Sequence, residues 1–192
     1  RVRSEMETLF NFRHRRTQTD LARHAESGLD APLRIAVTGA SGMIGRQLVA
    51  FLRTGGHDVV RLVRRPARAA DESFWDPATM SIDAEALEGL DAVVHLAGDS
   101  IAGGRWTKAR KRSILESRTN GTRLIAQTLA GLRQPPKVLV SASGIGFYGD
   151  GGQEILTEDA PRGAGFLADV VQTWESETAP AANAGIRVVT PR

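Results

Sequence analysis

The stretch from Leu33 to Thr54 constrains this chain more than any other part of it. Leu33–Thr38 (LRIAVT) is a short, apolar, β-branched run of the kind that fills a buried parallel strand. It passes directly into Gly39-Ala40-Ser41-Gly42-Met43-Ile44-Gly45, and a helical segment follows, with Leu48, Val49 and Leu52 on one side and Gly55-Gly56 as its stop. A strand, a glycine-rich turn and a helix in immediate succession begin a βαβ unit, which commits the rest of the chain to a sheet with crossover helices.

The remaining pattern agrees. Strands are expected at His57–Val63, Asp91–Leu96, Lys137–Ser143 and Ile186–Thr190, and helices at Ala84–Gly89, Lys108–Leu132 and over most of 163–182, while residues 66–80, with two prolines, read as a loop. The expected fold is an α/β, Rossmann-like, doubly wound parallel sheet. A short helical tail precedes it: residues 5–25 carry Met6, Leu9, Phe10 and Arg13 on one face, and Ser27-Gly28 to Pro32 form a linker. The expected units are therefore residues 1–30 and 31–192. The first residue is Arg, and the last strand ends close to Arg192, so the chain reads as a fragment cut at both ends.

Glycines spaced G-x-x-G-x-x-G after a strand suit a dinucleotide phosphate loop. Gly39 permits the tight turn, Gly42 lets backbone approach a pyrophosphate, and Gly45 lets the helix pack closely on the strand. The helix N-terminus then offers unpaired N–H groups to the phosphates. Gly39, Ser41, Gly42, Met43, Ile44 and Gly45 are the candidate phosphate-binding positions. An NAD site carries an acid at the end of the second strand; here that strand ends in Val63-Arg64-Arg65, with Arg64 lying 25 positions after Gly39 (64 − 39) and Asp58 too early to reach the ribose. Two guanidiniums in place of a carboxylate suit a 2′-phosphate, so the expected cofactor is NADP(H), held in part by Arg64 and Arg65.

Composition narrows the class. With 41% hydrophobic and 24% charged residues the chain reads as soluble and globular, without a membrane-spanning run or a signal peptide. The absence of cysteine removes disulfides, thiolate metal sites and a cysteine nucleophile, no His/Asp/Glu grouping has metal-ligand spacing, and a cytoplasmic location is the default. The net charge of +3 is uneven: residues 101–137 hold nine Lys or Arg and one acid, and residues 138–192 three Arg and seven acids. Such a basic run can signal nucleic acid, but no stacking aromatics alternate with the charges, so a solvated helix face beside an anionic cofactor is the better expectation. His95, inside a strand, reads as a buried, satisfied imidazole.

Val37–Gly45, His95-Leu96-Ala97-Gly98, Asn120-Gly121-Thr122 and Ser141–Gly149 together resemble the extended short-chain dehydrogenase/reductases, which include the NAD-dependent epimerases and dehydratases. Trp75-Asp76-Pro77, Gly104-Arg105-Trp106, Glu116-Ser117-Arg118 and Trp174-Glu175 resemble an atypical branch, the epimerase family proteins, thought to be nucleoside-diphosphate-sugar epimerases. The resemblance covers residues 33–192; residues 1–30 are similar to the closing helix of a START-type lipid-binding domain. It implies that Leu96, Ala97 and Gly98 pass beside the adenosine and ribose, that Ser141 and Ser143 end the strand next to the nicotinamide, and that a further C-terminal segment binds substrate.

The superfamily's chemistry uses a Ser or Thr with a Y-x-x-x-K pair, in which Lys lets Tyr act as acid and base near neutral pH. Here Tyr148 is the single tyrosine, and Gly152 stands four residues on; the places expected for the pair hold Phe166 and Val170. Ser143 and Tyr148 remain the candidate catalytic residues. Two functions follow as expectations. One is an NADP-dependent oxidoreductase or epimerase acting on a small-molecule substrate, nucleotide-sugar-like or a small carbonyl. The other is a non-catalytic NADP(H)-binding module that senses redox state or regulates a partner.

Overall fold

A computed structural model describes residues 2–192. Helix α1 spans Val2–Glu26 and is followed by strand β1, Arg34–Thr38, helix α2, Met43–Thr54, and strand β2, Asp58–Val63. Strands β3, Glu72–Asp76, β4, Ser81–Ile82, and β5, Ala92–His95, come next, with a single 3₁₀ turn at Glu85–Leu87. The chain continues with α3, Lys108–Ala130, β6, Val138–Ser141, a 3₁₀ turn at Ile145–Tyr148, α4, Phe166–Ser176, α5, Ala179–Asn183, and β7, Arg187–Val189.

The strands lie in the order β4-β3-β2-β1-β5-β6-β7. All neighbours are parallel except β3 and β4. Without the short hairpin strand β4, this is the dinucleotide-binding order 3-2-1-4-5-6, which reverses direction between β1 and β5. Strand β1 is buried on both faces, as its unbroken apolar run requires. Ile35 and Val37 pack with Val49 of α2 and Val59. Ala36 faces the opposite layer, where Leu124, Ile125 and Leu129 of α3 pack with Trp75, Val93 and Leu139.

The loop expected over 66–80 contains β3 and leads into β4. Strand β3 buries only Ser73 and Trp75, and Glu72, Phe74 and Asp76 alternate with them on the other side. Charged ends and nearby prolines hid that alternation. The sheet is therefore mostly parallel rather than wholly so. The helical segment expected over 163–182 is two helices, broken at Glu177-Thr178 ahead of Pro180 at the start of α5.

Along helix α1, Met6, Leu9 and Phe10 are exposed. Its C-terminal end docks on α2. The His24 ring stacks on Phe51 at 4.1 Å between centroids, and His24 Nε2 lies 2.8 Å from the Phe51 carbonyl oxygen. Gly55 makes room for that ring, which a Cβ at this position would overlap.

Candidate functional site

The reversal of strand order opens a crevice beyond the C-terminal ends of β1 and β5, where ligands of open α/β sheets bind. Gly39 turns the chain there with φ +67°, and a Cβ on it would lie 2.9 Å from the Leu96 carbonyl carbon and the Ala97 nitrogen. The glycine thus allows the two loops to meet backbone to backbone. Gly42 donates its N–H to the Gly39 oxygen at 2.9 Å and stands at the N-cap of α2 without a side-chain cap. The first-turn N–H groups of Met43, Ile44 and Gly45 have no partner within the helix and are available to an anion. Gly45 is buried, and a Cβ there would overlap the Gly39 carbonyl oxygen.

Thr38, at the end of β1, holds the facing loop. Its Oγ1 accepts the N–H groups of Leu96 at 3.0 Å and Ala97 at 3.2 Å. With both lone pairs engaged, the hydroxyl donates its own proton to His95 Nδ1, 2.7 Å away. His95 is fully enclosed, and burial pushes its pKa down to about 4. The ring is neutral with its proton on Nε2. That atom and Ser141 Oγ, on the strand-paired residue of β6, are buried without hydrogen-bond partners among the described residues. The expectation of a satisfied histidine thus holds for one ring nitrogen.

A cavity of about 860 Å³ fills the crevice. Gly39, Ser41 and Gly42 line it from the turn, Leu96, Ala97 and Gly98 from the loop after β5, and Arg64 and Arg65 from the end of β2. Met43, Ile44 and Gly45 lie outside its wall, the first two with exposed side chains and Gly45 beneath the turn. The structure also brings in Asp76 from β3 and Glu116 and Asn120 from α3.

The two arginines differ. Arg65 forms a two-pronged pair with Glu72 at 2.7 and 2.8 Å, and Glu72 also accepts the Arg68 N–H at 2.9 Å and lies 3.2 Å from Arg61. Hydrogen bonds from Arg65 and from that N–H hold the Glu72 carboxyl down to about 2. Asp71 binds Arg61 through both oxygens, at 2.7 and 2.9 Å, and also pairs with Arg53. Arg64 makes no ion pair or side-chain hydrogen bond among the described residues. Sequence reasoning missed this network because Glu72 opens the unread strand β3 and Asp71 directly precedes it.

A second polar cluster forms beyond the end of β6, outside the cavity wall. Ser143 donates its hydroxyl to Glu175 Oε1. Arg192 grips the same carboxylate, Nε to Oε1 at 2.9 Å and Nη2 to Oε2 at 2.8 Å, and donates from Nη1 to the Tyr148 oxygen at 3.2 Å. The guanidinium also lies 3.6 Å from the centre of the Phe147 ring. Burial of Glu175 favours its neutral form, but the hydrogen bonds from Arg192 and Ser143 outweigh it and lower the pKa. The Glu175 pair raises that of Arg192. Ser143 and Tyr148 are thus joined through Glu175 and Arg192, which the sequence reading had not connected. Besides Glu175, the α4 residues beside Gly144 and Gly146 of the Ser143 loop are Val171 and Leu167, one position beyond the expected Val170 and Phe166. Phe166 instead meets Trp106 edge-on at 5.7 Å between centroids, and Val170 is buried. Neither phase of the helix supplies a Tyr/Lys pair.

Among the described residues, no group of three or more His, Cys, Asp or Glu could hold a metal ion, and no helix is long and apolar enough to cross a membrane.

Comparison with known proteins agrees with this architecture. An epimerase family protein of Mycobacterium bovis is 39% identical over 158 residues, which cover 82% of this chain and 52% of the relative. The chain spans about half the length of the curated relatives it matches. The crystal structure of a nucleoside-diphosphate sugar epimerase from Corynebacterium glutamicum superposes with a TM-score of 0.77 at 40% identity, covering 92% of this chain and 37% of that one. The human epimerase family protein SDR39U1, solved with NADPH, superposes with a TM-score of 0.68 at 30% identity, covering 76% and 48%. Other matched structures hold NAD. The model of the NAD dependent epimerase/dehydratase family matches residues 35–168, and the chain belongs to that family.

Proposed function

We propose that this chain is the NADP(H)-binding half of an oxidoreductase or sugar-nucleotide epimerase. The observation that carries the reading is the position of Arg64. It directly follows β2, lines the crevice and has no carboxylate partner among the described residues, while Glu72, on the neighbouring strand, is taken up by Arg65. A 2′-phosphate would meet a cation there, whereas a ribose hydroxyl would find no acceptor of the usual kind. The NADPH bound to the human relative supports the same choice. The turn from Gly39 to Gly45 would hold the pyrophosphate, and Leu96 to Gly98 would flank the adenosine.

When bound, the cofactor would supply a hydride acceptor or donor. This chain's residues handle the accompanying proton. Arg192 donates to the Tyr148 oxygen, so the phenol's own hydrogen is left to go to a substrate oxygen. The guanidinium then stabilises the oxygen that has lost it, as Lys does in the usual pair. Glu175 fixes Arg192 from the other side and orients the Ser143 hydroxyl. The substrate is a small molecule, and neither nucleic acid nor a membrane surface is among its partners. A cytoplasmic location belongs to the same proposal and rests on the cysteine-free composition.

The second reading, a non-catalytic NADP(H)-binding regulator, draws on Leu167 and Val171, apolar residues against the Ser143 loop. Two measurements on the full-length protein test both. Calorimetric titration should show tighter binding of NADPH than NADH; equal affinity removes the NADP(H) assignment. NADPH oxidation across nucleotide sugars, quinones and small carbonyls should show turnover; good NADPH binding with none throughout favours the regulator.

A further inference from the structure

The basic run on α3 raises a question that the fold does not answer by itself. The first turn of this helix carries no acid, yet Lys108, Arg110, Lys111 and Arg112 crowd its start. Cations there oppose the helix dipole, so each is unfavourable unless it is used. Two of these four have a visible use. Arg110 pairs with Asp99 and donates to the Ser100 carbonyl. Lys111 lies over the Phe166 ring at 5.0 Å. Farther along, Arg118 donates to the Ile114 carbonyl and packs on Trp174.

Arg112 is different. Its helix face, with Ala109, Ser113 and Glu116, lines the same cavity as Arg64. It is exposed and makes no ion pair or side-chain hydrogen bond among the described residues, and Glu116, one turn on, lies beyond salt-bridge distance from it. Arg65, beside Arg64 in sequence, is the reverse case, with both prongs of its guanidinium on Glu72.

Building on the NADP(H) reading, we propose that Arg112 is the second cation selecting for the 2′-phosphate. In this arrangement Arg64 and Arg112 reach one phosphate from β2 and α3, and Glu72 withholds Arg65 from it. The preference for NADPH then depends on Arg64 and Arg112, and Glu72 sets its upper limit. A phosphate between two arginines receives charge-assisted hydrogen bonds from both, whereas the Arg65–Glu72 pair presents almost no net charge to it.

The test is calorimetric titration of the full-length protein with NADPH, NADH and adenosine 2′,5′-bisphosphate. Arg112→Ala is expected to weaken NADPH and the bisphosphate about tenfold to a hundredfold, the usual range for a lost hydrogen bond to a charged group, and to leave NADH within about twofold. Arg112→Lys should fall between. Glu72→Gln should tighten NADPH by releasing Arg65, and the double change Arg65→Ala/Glu72→Gln should leave the NADPH-to-NADH ratio within about twofold, since it removes a neutral pair. Unchanged thermal melting shows that Arg112→Ala is folded. If Arg112→Ala weakens NADH as much as NADPH, or changes neither, the inference is overturned while a wild-type preference for NADPH leaves the cofactor reading standing. If the wild type binds both dinucleotides equally, the cofactor reading itself fails.

Discussion

Thr38 Oγ1 and His95 Nδ1 lie 2.7 Å apart in the floor of the crevice, in a hydrogen bond whose direction is set by the two backbone N–H groups that the hydroxyl already accepts. The bond needs neutral imidazole, because a protonated ring would have no acceptor at Nδ1.

This makes stability pH-dependent. His95 is held at about 4, below the ordinary value of 6.5, so the unfolded chain binds its proton first as pH falls. The contribution is complete above pH 6.5 and is lost between 6.5 and 4, and a shift of this size corresponds to about 3 kcal/mol. Urea unfolding from pH 7.5 to 4.5 should show stability falling, and His95→Gln should flatten the fall. An equal slope in both proteins would contradict the assignment.

Gly42 has φ −72°, which any residue can adopt, and a Cβ there would sit 3.1 Å from the Gly39 oxygen. Gly42→Val should therefore give a folded domain that no longer binds dinucleotide, because the side chain occupies the approach to the pyrophosphate. Gly45→Ala should do more damage. Its methyl group would overlap the Gly39 carbonyl, so the turn must move, at a cost of about 1–3 kcal/mol in thermal or urea unfolding. Retention of tight NADPH binding by a folded Gly42→Val variant would refute this placement of the phosphates.

The Trp174 indole N–H donates to Thr122 Oγ1 at 2.7 Å, both residues buried where α4 meets α3. Thr122→Val keeps the shape and strands the donor, which should cost about 1–3 kcal/mol. Denaturant titration measures it, and a neutral outcome would mean that the indole finds another acceptor.

Turnover, once a substrate is found among the probes, should depend on Tyr148. Tyr148→Phe should lower kcat by about 10² to 10⁴ without weakening NADPH, the usual range for a positioned acid. Arg192→Ala should show a similar loss, partly restored by added guanidinium, whereas Arg192→Met should not recover through packing alone. Turnover that survives Tyr148→Phe would assign the proton to water or to the substrate.

The crevice was legible in the sequence and the cluster around Ser143 was not, for a physical reason. Leu33 to Gly45 act through neighbours in the chain: a run of apolar β-branched residues, a turn that needs glycine, and a helix start. Arg192 and Glu175 stand 17 residues apart, and they meet because α4 and β7 return to the same end of the sheet. No local pattern announces such a pair. In the sequence Arg65 reads as available because its partner lies seven residues on in β3, whose two inward residues, Ser73 and Trp75, are too few to betray a strand amid charges. The alternation of Ser73 and Trp75 with Glu72, Phe74 and Asp76 was the one signal for it.

The backbone contact between Gly39 and Leu96-Ala97 bears on how a ligand would enter. Two loops pressed together without an intervening side chain, and bridged by Thr38, leave little slack for a hinge between β1 and β5. The width of the phosphate slot is therefore established on folding, before any dinucleotide arrives. Such a rigid receptor forfeits little entropy on association, so hydrogen exchange at Gly42, Leu96 and Ala97, whose N–H groups are bonded within the two loops, should already be slow in the empty protein and should change little when NADPH is added, whereas the unpartnered N–H groups of Met43, Ile44 and Gly45 should slow only once NADPH is bound.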